Sequence, residues 1–434
     1  MEPQVRGVTE HLERVLALVA PLPAGHCDLT GALGEVVAED LYASASVPPF
    51  DSAAMDGYAV RLTDLPPDGS SVTLRVTGDV TAGPGDPAGV GPGQAVRIMT
   101  GAPLPPGADA VVPVEHTSTG RFVAGAPRSE DSVVLARRPR AHVRGAGEDV
   151  RQGDLLARAG TELTAPLVGA LAASGAVRIR VRRRPLVAVI STGSELVPVG
   201  GALGPGQITD SNGPMLAAAA QAGGADVVRL GPVTDDPAAL RAALDAARVG
   251  GADLIVTAGG VSAGAADVVR EVLAASGPAA GGVTDADVTS VAMSPGKPQA
   301  LARWGGVPWL ALPGNPVGAY ASFELFARPA IDRLRGLGIA AEGLPSQGRN
   351  AERALLPLRY PLGHAHRSLR AAAGWSSPAG RLQALPVRWV DGGVEPAGSH
   401  HSLSALAAAD GLALVPPDVE KVRAGDVVQV LMLQ

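Results

Sequence analysis

The segment from Arg184 to Gly336 constrains the fold most, because apolar strands and helical stretches alternate along it. LVAVI at 186 to 190, DVVRL at 226 to 230, DLIVTA at 253 to 258 and VPWLAL at 307 to 312 are near-continuous apolar runs. Helical stretches lie at 213 to 222, 237 to 248, 266 to 275 and 317 to 334. Apolar strands joined in this way predict an α/β unit with a parallel sheet covered on both faces. At 434 residues the chain exceeds one ordinary core, so further domains are expected.

Upstream, Thr9 is placed to cap a helix in which Leu12, Val15, Leu16 and Val19 share a face, and Pro21 and Pro23 end it. From about Val47 to Val143 the pattern changes: SVTLRVT at 71 to 77 alternates with period two, AVRIM and SVVLA follow, and Gly/Pro clusters separate them. Thr164 caps a short helix through Ala173, Gly175 terminates it, and VRIRVR runs from Val177 to Arg182. If this stretch packs back on the first helix, the β domain is an insertion. Beyond Gly336 short strands return, with a helical patch after Ser402 and a closing DVVQVLML. The expected fold class is therefore α/β and β multidomain. A small discontinuous α+β N-terminal domain covers 1–46 and 150–183, an inserted β domain 47–149, the α/β domain 184–336 and a C-terminal β-barrel 350–434.

Composition removes several function classes. The formal net charge is −6 and no basic stripe is interleaved with aromatics, so no nucleic-acid partner is expected. The N-terminus lacks a signal-peptide pattern and no apolar run nears the roughly 20 residues of a membrane span, which predicts a soluble cytoplasmic protein. Cys27 is the only cysteine, which excludes intrachain disulfides and thiolate-pair zinc sites. It reads as a small, partly buried side chain. Nearly every cation is arginine; Lys297 and Lys421 are the only lysines. A lysine set among Pro and Gly at 297 therefore needs a reason.

Three of the α/β strands run into Gly-rich loops: STGSEL at 191 to 196, TAGGVSAGAAD at 257 to 267 and PGNPVG at 313 to 318. Parallel sheets bind ligands beyond the carboxyl ends of their strands, where backbone N–H groups face outwards. Any one of these loops is more often a plain turn, but three in one sheet make an anion site. No GxGxxG opens a helix after a strand and no GxxxxGK[ST] is present, so dinucleotide and P-loop readings drop out. The loops also carry Glu195, Asp235 and Asp267. Acids beside an anion site imply a divalent cation between them, typically Mg²⁺. The alternative for Asp235 and Asp267 is helix N-capping.

PPFDSAAMDGYAVR (48 to 61), RIMTGAPLPPGADAVVPVE (97 to 115), VRGAGEDV (143 to 150), STGSEL, GQITDSN (206 to 212), GGVSAG, PGKP (295 to 298) and PGNPV occur in that order. Together they resemble the motif set of the MoeA and gephyrin E-domain molybdenumtransferases. The similarity is strong through about Gly336 and thinner afterwards. It implies a sheet domain of the molybdopterin-binding type and a homodimer, in which the sheet domain of one subunit faces the inserted domain of the other. The activity implied is insertion of molybdate into adenylyl-molybdopterin with release of AMP and with Mg²⁺ as cofactor. Transient contact with a molybdopterin adenylyltransferase is a further expectation.

Carried over by position, Asp56, Thr100, Asp149 and Glu195 are the candidate catalytic residues. Arg144, Thr192, Gly193, Gly259, Gly260, Ser262, Ser294, Lys297, Pro313, Asn315 and Pro316 are expected to bind substrate, and Asp235 and Asp267 metal. Without the resemblance, Asp56 and Thr100 read as turn residues ahead of Gly57 and Gly101. Many relatives read KPGKP where this chain has Ser294-Pro295-Gly296-Lys297-Pro298, so a two-lysine clamp becomes a single lysine. Lysine suits a tetrahedral oxyanion because it approaches as a point charge. The competing readings are a molybdopterin adenylyltransferase, which shares the sheet domain, and a non-catalytic scaffold of the gephyrin type.

Overall fold

A computed structural model describes residues 5–122, 130–138, 141–261, 267–274, 282–337, 366–399 and 401–433. Its largest sheet has seven strands, ordered Val5–Arg6, Val283–Val291, Pro298–Trp304, Val307–Leu312, Leu254–Ala258, Leu186–Ser191 and Asp226–Arg229. The last four pair in parallel and are the four strands expected from the apolar runs. Val283–Val291 and Pro298–Trp304 pair antiparallel, so the sheet is mixed and not wholly parallel. VTDADVTSV carries no apolar run because most of this strand is only partly covered, which hid it from periodicity.

Successive strand residues face opposite sides, and the core divides accordingly. Val187, Val189, Leu254 and Val256 pack with helices Val8–Ala17 and Asn212–Ala222 and with the helical run from Pro316 to Arg335. Ala188, Ile190 and Ile255 pack with helices Pro237–Val249 and Val268–Ala274. Trp309, buried on this second face, donates its indole N–H to Thr257 Oγ1 at 3.0 Å.

The first helix differs from expectation in cap and in location. Gly7 is its N-cap and Thr9 lies inside the first turn. Val8, Leu12, Val15 and Leu16 join the α/β core, while Val5–Arg6 adds to the edge of its sheet. Helix Ala165–Ala173, capped by Thr164 as expected, does not pack on the first helix. Its Leu171 packs with Leu29, Val37, Ile179 and Val181 around a three-stranded sheet of Ala24–Asp28, Arg178–Arg182 and Val36–Val37. Apolar spacing identified both helices but carries no information about which surface each one covers.

The inserted β unit is a five-stranded sheet in the order Ser132–Ala136, Ser71–Val80, Gln94–Ile98, Gly57–Val60, Ala110–Pro113. Gly57 is required there, because a Cβ would collide with the Val112 carbonyl of the neighbouring strand. In the C-terminal unit, Leu382–Val390, Gly411–Val415, Val427–Met432 and His366–Arg370 run antiparallel in that order. Gly393–Pro396 pairs back on Leu382–Val390, and a bridge between Ala371 and Val394 closes the barrel. Met293–Ser294 pairs in parallel with Leu382–Gln383, so the barrel is hydrogen-bonded to the segment leading into Lys297.

Replacing Thr257 with Val keeps its shape and leaves the buried Trp309 N–H unpaired. An orphaned donor costs about 1–3 kcal/mol. Urea denaturation of Thr257→Val is therefore expected to show a lower midpoint with an unchanged slope; an unchanged midpoint would mean that the indole finds another acceptor.

Candidate active site

Beyond the carboxyl ends of Leu186–Ser191, Leu254–Ala258 and Val307–Leu312, the loops enclose a cavity of about 330 Å³. Thr192, Gly193, Glu195, Asp235, Gly259, Gly260, Asp267 and Pro316, all proposed from sequence, line it. The loops are laced edge to edge: Thr192 N–H donates to the Ala258 carbonyl at 2.9 Å and Gly259 N–H to the Leu312 carbonyl at 3.1 Å. Gly259 has φ 102°, and a Cβ on it would press on the Thr192 carbonyl. Backbone contact this close leaves room only for glycine.

The acids occupy distinct settings. Ser194 N–H donates to Asp235 Oδ2 at 2.9 Å, while Asp235 N–H donates to Ser194 Oγ at 3.0 Å. The helix cap is Asp236, whose Oδ1 accepts from Ala238 N–H at 2.9 Å, so the capping alternative for Asp235 is set aside. Asp267 stands at the head of helix Val268–Ala274, its carbonyl accepting from Glu271 N–H at 3.0 Å. The Glu195 carboxylate folds back over Gly193, where a Cβ would sit 2.6 Å from Oε2. Among the described residues, no three acidic, imidazole or thiol groups cluster closely enough to hold a metal ion. Asp235 and Asp267 supply hard oxygens to one cavity, which suits Mg²⁺ when substrate oxygens and water complete the shell.

Asp210, Ser211 and Asn212 also line the cavity and were not among the sequence candidates. Asn212 Nδ2 donates to the Gly314 carbonyl at 2.8 Å, and Asp210 Oδ1 accepts from Gly213 N–H at 2.9 Å. Their motif, GQITDSN, was visible, but polar residues at a helix head look like ordinary caps.

Other candidates sit beside the cavity and not in its wall. Asn315 caps helix Pro316–Ser322, its Oδ1 accepting from Gly318 N–H at 3.1 Å. Pro313 precedes Gly314, which does line the cavity. Lys297 is exposed and adjoins Pro298, another lining residue. Ser294 is engaged in the strand pairing with Gln383. Ser262 lies outside the described residues.

The remaining four candidates, Asp56, Thr100, Arg144 and Asp149, belong to the inserted domain. Thr100 donates both its N–H and its hydroxyl to Asp56 Oδ1, each at 2.7 Å. These bonds stabilise the carboxylate and hold the Asp56 pKa below the usual range. Strand Ser52–Ala53 lies between them and Arg144: it pairs with Val143–Arg144 on one side, while Ala53 exchanges hydrogen bonds with Gly101 and Ala102 on the other. Asp149 is exposed, with its N–H bonded to the Val47 carbonyl at 3.0 Å. No described residue of 47–149 lines the cavity of the same chain.

The α/β unit with its cavity falls in a known class: residues 188–333 match the probable molybdopterin binding domain. Residues 6–175 match the MoeA N-terminal region, domains I and II, and residues 368–433 the MoeA C-terminal region, domain IV. Two Mycobacterium tuberculosis proteins are similar along almost their whole length. Molybdopterin molybdenumtransferase 2 is 40% identical, with 98% of this chain and 99% of the relative covered. Molybdopterin molybdenumtransferase 1 is 36% identical, with 99% of each covered. The crystal structure of a molybdopterin biosynthesis MoeA protein from Pyrococcus horikoshii superposes with a TM-score of 0.78 at 30% identity, covering 99% of this chain and 100% of that one. The chain therefore belongs to the molybdopterin molybdenumtransferase family.

The Asp56–Thr100 pair gives a direct test of its electrostatics. Thr100→Val removes the hydroxyl donor and keeps the backbone one, so the Asp56 pKa is expected to rise part of the way to its ordinary value. A lowered carboxylate pKa stabilises the fold above the ordinary carboxylate range, and that contribution is lost as pH falls through the lowered value. NMR titration of the Asp56 carboxyl carbon in both proteins measures the shift; coincident curves would assign the effect to the backbone N–H alone.

Proposed function

We propose that this chain inserts molybdenum into molybdopterin, taking molybdate and adenylyl-molybdopterin as substrates and releasing AMP. The observation that carries the reading is the gathering of three Gly-rich strand ends and the acids Glu195, Asp235 and Asp267 around one cavity, in a chain matched end to end by named transferases. The matches to both flanking regions favour this activity over that of an adenylyltransferase built on the sheet domain alone.

Both substrates are anionic, so bringing them together carries a Coulombic penalty. In this reading Lys297, Arg144 and those loop N–H groups not already bonded between the loops offset it. Asp235 and Asp267 would hold Mg²⁺, which when bound neutralises phosphate charge and polarises the phosphoanhydride. Glu195 serves the metal or the nucleotide. Thr192, Gly193, Gly259, Gly260, Pro316 and the Pro313–Asn315 turn shape the nucleotide and pterin pocket. Asp56, held ionised by Thr100, acts with Asp149 in the hydrolytic step.

Those last residues reach the cavity in our reading only across a homodimer, since no described residue of the inserted domain lines the cavity of its own chain. We place the enzyme in the cytoplasm, in passing contact with the adenylyltransferase that hands over its substrate. None of the described helices is long and apolar enough to cross a membrane.

Purified protein given adenylyl-molybdopterin and Mg²⁺ is expected to release AMP only when molybdate is added; no molybdate-dependent AMP would overturn the proposal. The dimeric site is tested by mixing inactive variants. Asp56→Asn and Asp267→Asn homodimers each lose both sites, whereas a mixed dimer regains one. Random re-association of equal amounts is thus expected to restore about a quarter of wild-type activity. If mixing restores nothing while the variants demonstrably exchange subunits, each site is built within one chain.

A further inference from the structure

Gln299 is 1% exposed and follows directly on the turn that carries Lys297. Its Nε2 is shared among three acceptors: the Gly296 carbonyl at 3.0 Å, Ser322 Oγ at 3.1 Å and Met293 Sδ at 3.2 Å. One buried amide thus joins the strand before the turn, the turn itself and the helix Pro316–Ser322, whose first residue lines the cavity. The packing is equally close. Gly296 has φ 114°, and a Cβ there would stand 2.8 Å from both Ser322 Oγ and Met293 Cε. A Cβ on Gly318 would meet Gly296 N at 3.3 Å.

The backbone is pinned on both sides of Lys297. The Gly296 carbonyl is held by Gln299, and the Lys297 carbonyl accepts from Val291 N–H at 2.7 Å. Lysine has a long, flexible stem, so what the pinned backbone fixes is the point from which the ammonium reaches out. With a serine at 294 and Lys297 as the one cation between 294 and 298, this turn offers a single ammonium.

We propose that Gln299 is a positioning residue for oxyanion capture: its buried amide fixes the 294–298 turn and thereby sets Lys297 beside the cavity. The inference rests on the reading of Lys297 as a molybdate partner, and its test separates the two. Gln299→Met retains length and removes the donor.

The experiment is a double-variant cycle read out as the molybdate dependence of AMP release. Lys297→Ala is expected to raise half-saturating molybdate roughly tenfold to a hundredfold, the worth of a charge-assisted hydrogen bond. Gln299→Met is expected to raise it roughly three- to tenfold, with turnover at saturating molybdate within about twofold of wild type. In the Lys297→Ala background, Gln299→Met should add nothing, because a residue acting through Lys297 has no further route. Multiplicative effects would instead mark Gln299 as general core support and overturn the proposal. An unchanged Gln299→Met beside an impaired Lys297→Ala overturns it while leaving the role of Lys297 intact; an unchanged Lys297→Ala removes both. Should Gln299→Met fail to fold, Ser322→Ala removes one of the amide's acceptors, and the same cycle applies to it with a smaller effect.

Discussion

Strand Leu254–Ala258 has no exposed residue, and much of the molecule's organisation follows from that burial. A strand covered on both faces cannot present side chains to a ligand along its length. Chemistry is confined to the point where its backbone leaves the sheet. There Gly259 passes against Thr192, and Gly314 packs on Gly259, so three chain segments share a space that ordinary side chains would fill. The acidic side chains of Glu195, Asp235 and Asp267 line the same cavity as this bare backbone.

The sequence disclosed this part of the fold because full burial demands unbroken apolar runs, and Gly-rich turns follow where strands end in a close approach. It disclosed less where burial is partial. Val283–Val291 and Pro298–Trp304 extend the sheet antiparallel, yet the former reads as a polar stretch. The docking of Val8–Ala17 on the α/β core was likewise invisible, since an amphipathic stripe states that a face is buried but not against what. At the site, Asp235 was distinguished from its capping neighbour Asp236 only by geometry. Asn212 and Asp210 were hidden by resembling caps, and Asn315 proved to be one. Asp56 and Thr100 were each singled out by the family resemblance, but their pairing is seen only in the structure, because 44 positions separate them and no local pattern links them.

Charge is unevenly distributed between the cavity and the rest of the molecule. The cavity wall of the α/β domain carries the acids Glu195, Asp210, Asp235 and Asp267, which favours a ligand that arrives with cations. Lys297 is exposed beside the lining residue Pro298, and Arg144 is exposed on the inserted domain.

The parallel pairing of Met293–Ser294 with Leu382–Gln383 gives the barrel a part beyond its own closure. A terminal module joined only by a covalent link could be trimmed away without disturbing its neighbour. Here its loss would strip a hydrogen-bonding edge from the two residues just before the lysine turn, leaving polar backbone groups to find water or a new strand. The last seventy residues thus serve as a splint, through these two paired positions, for a loop some ninety positions earlier in the chain.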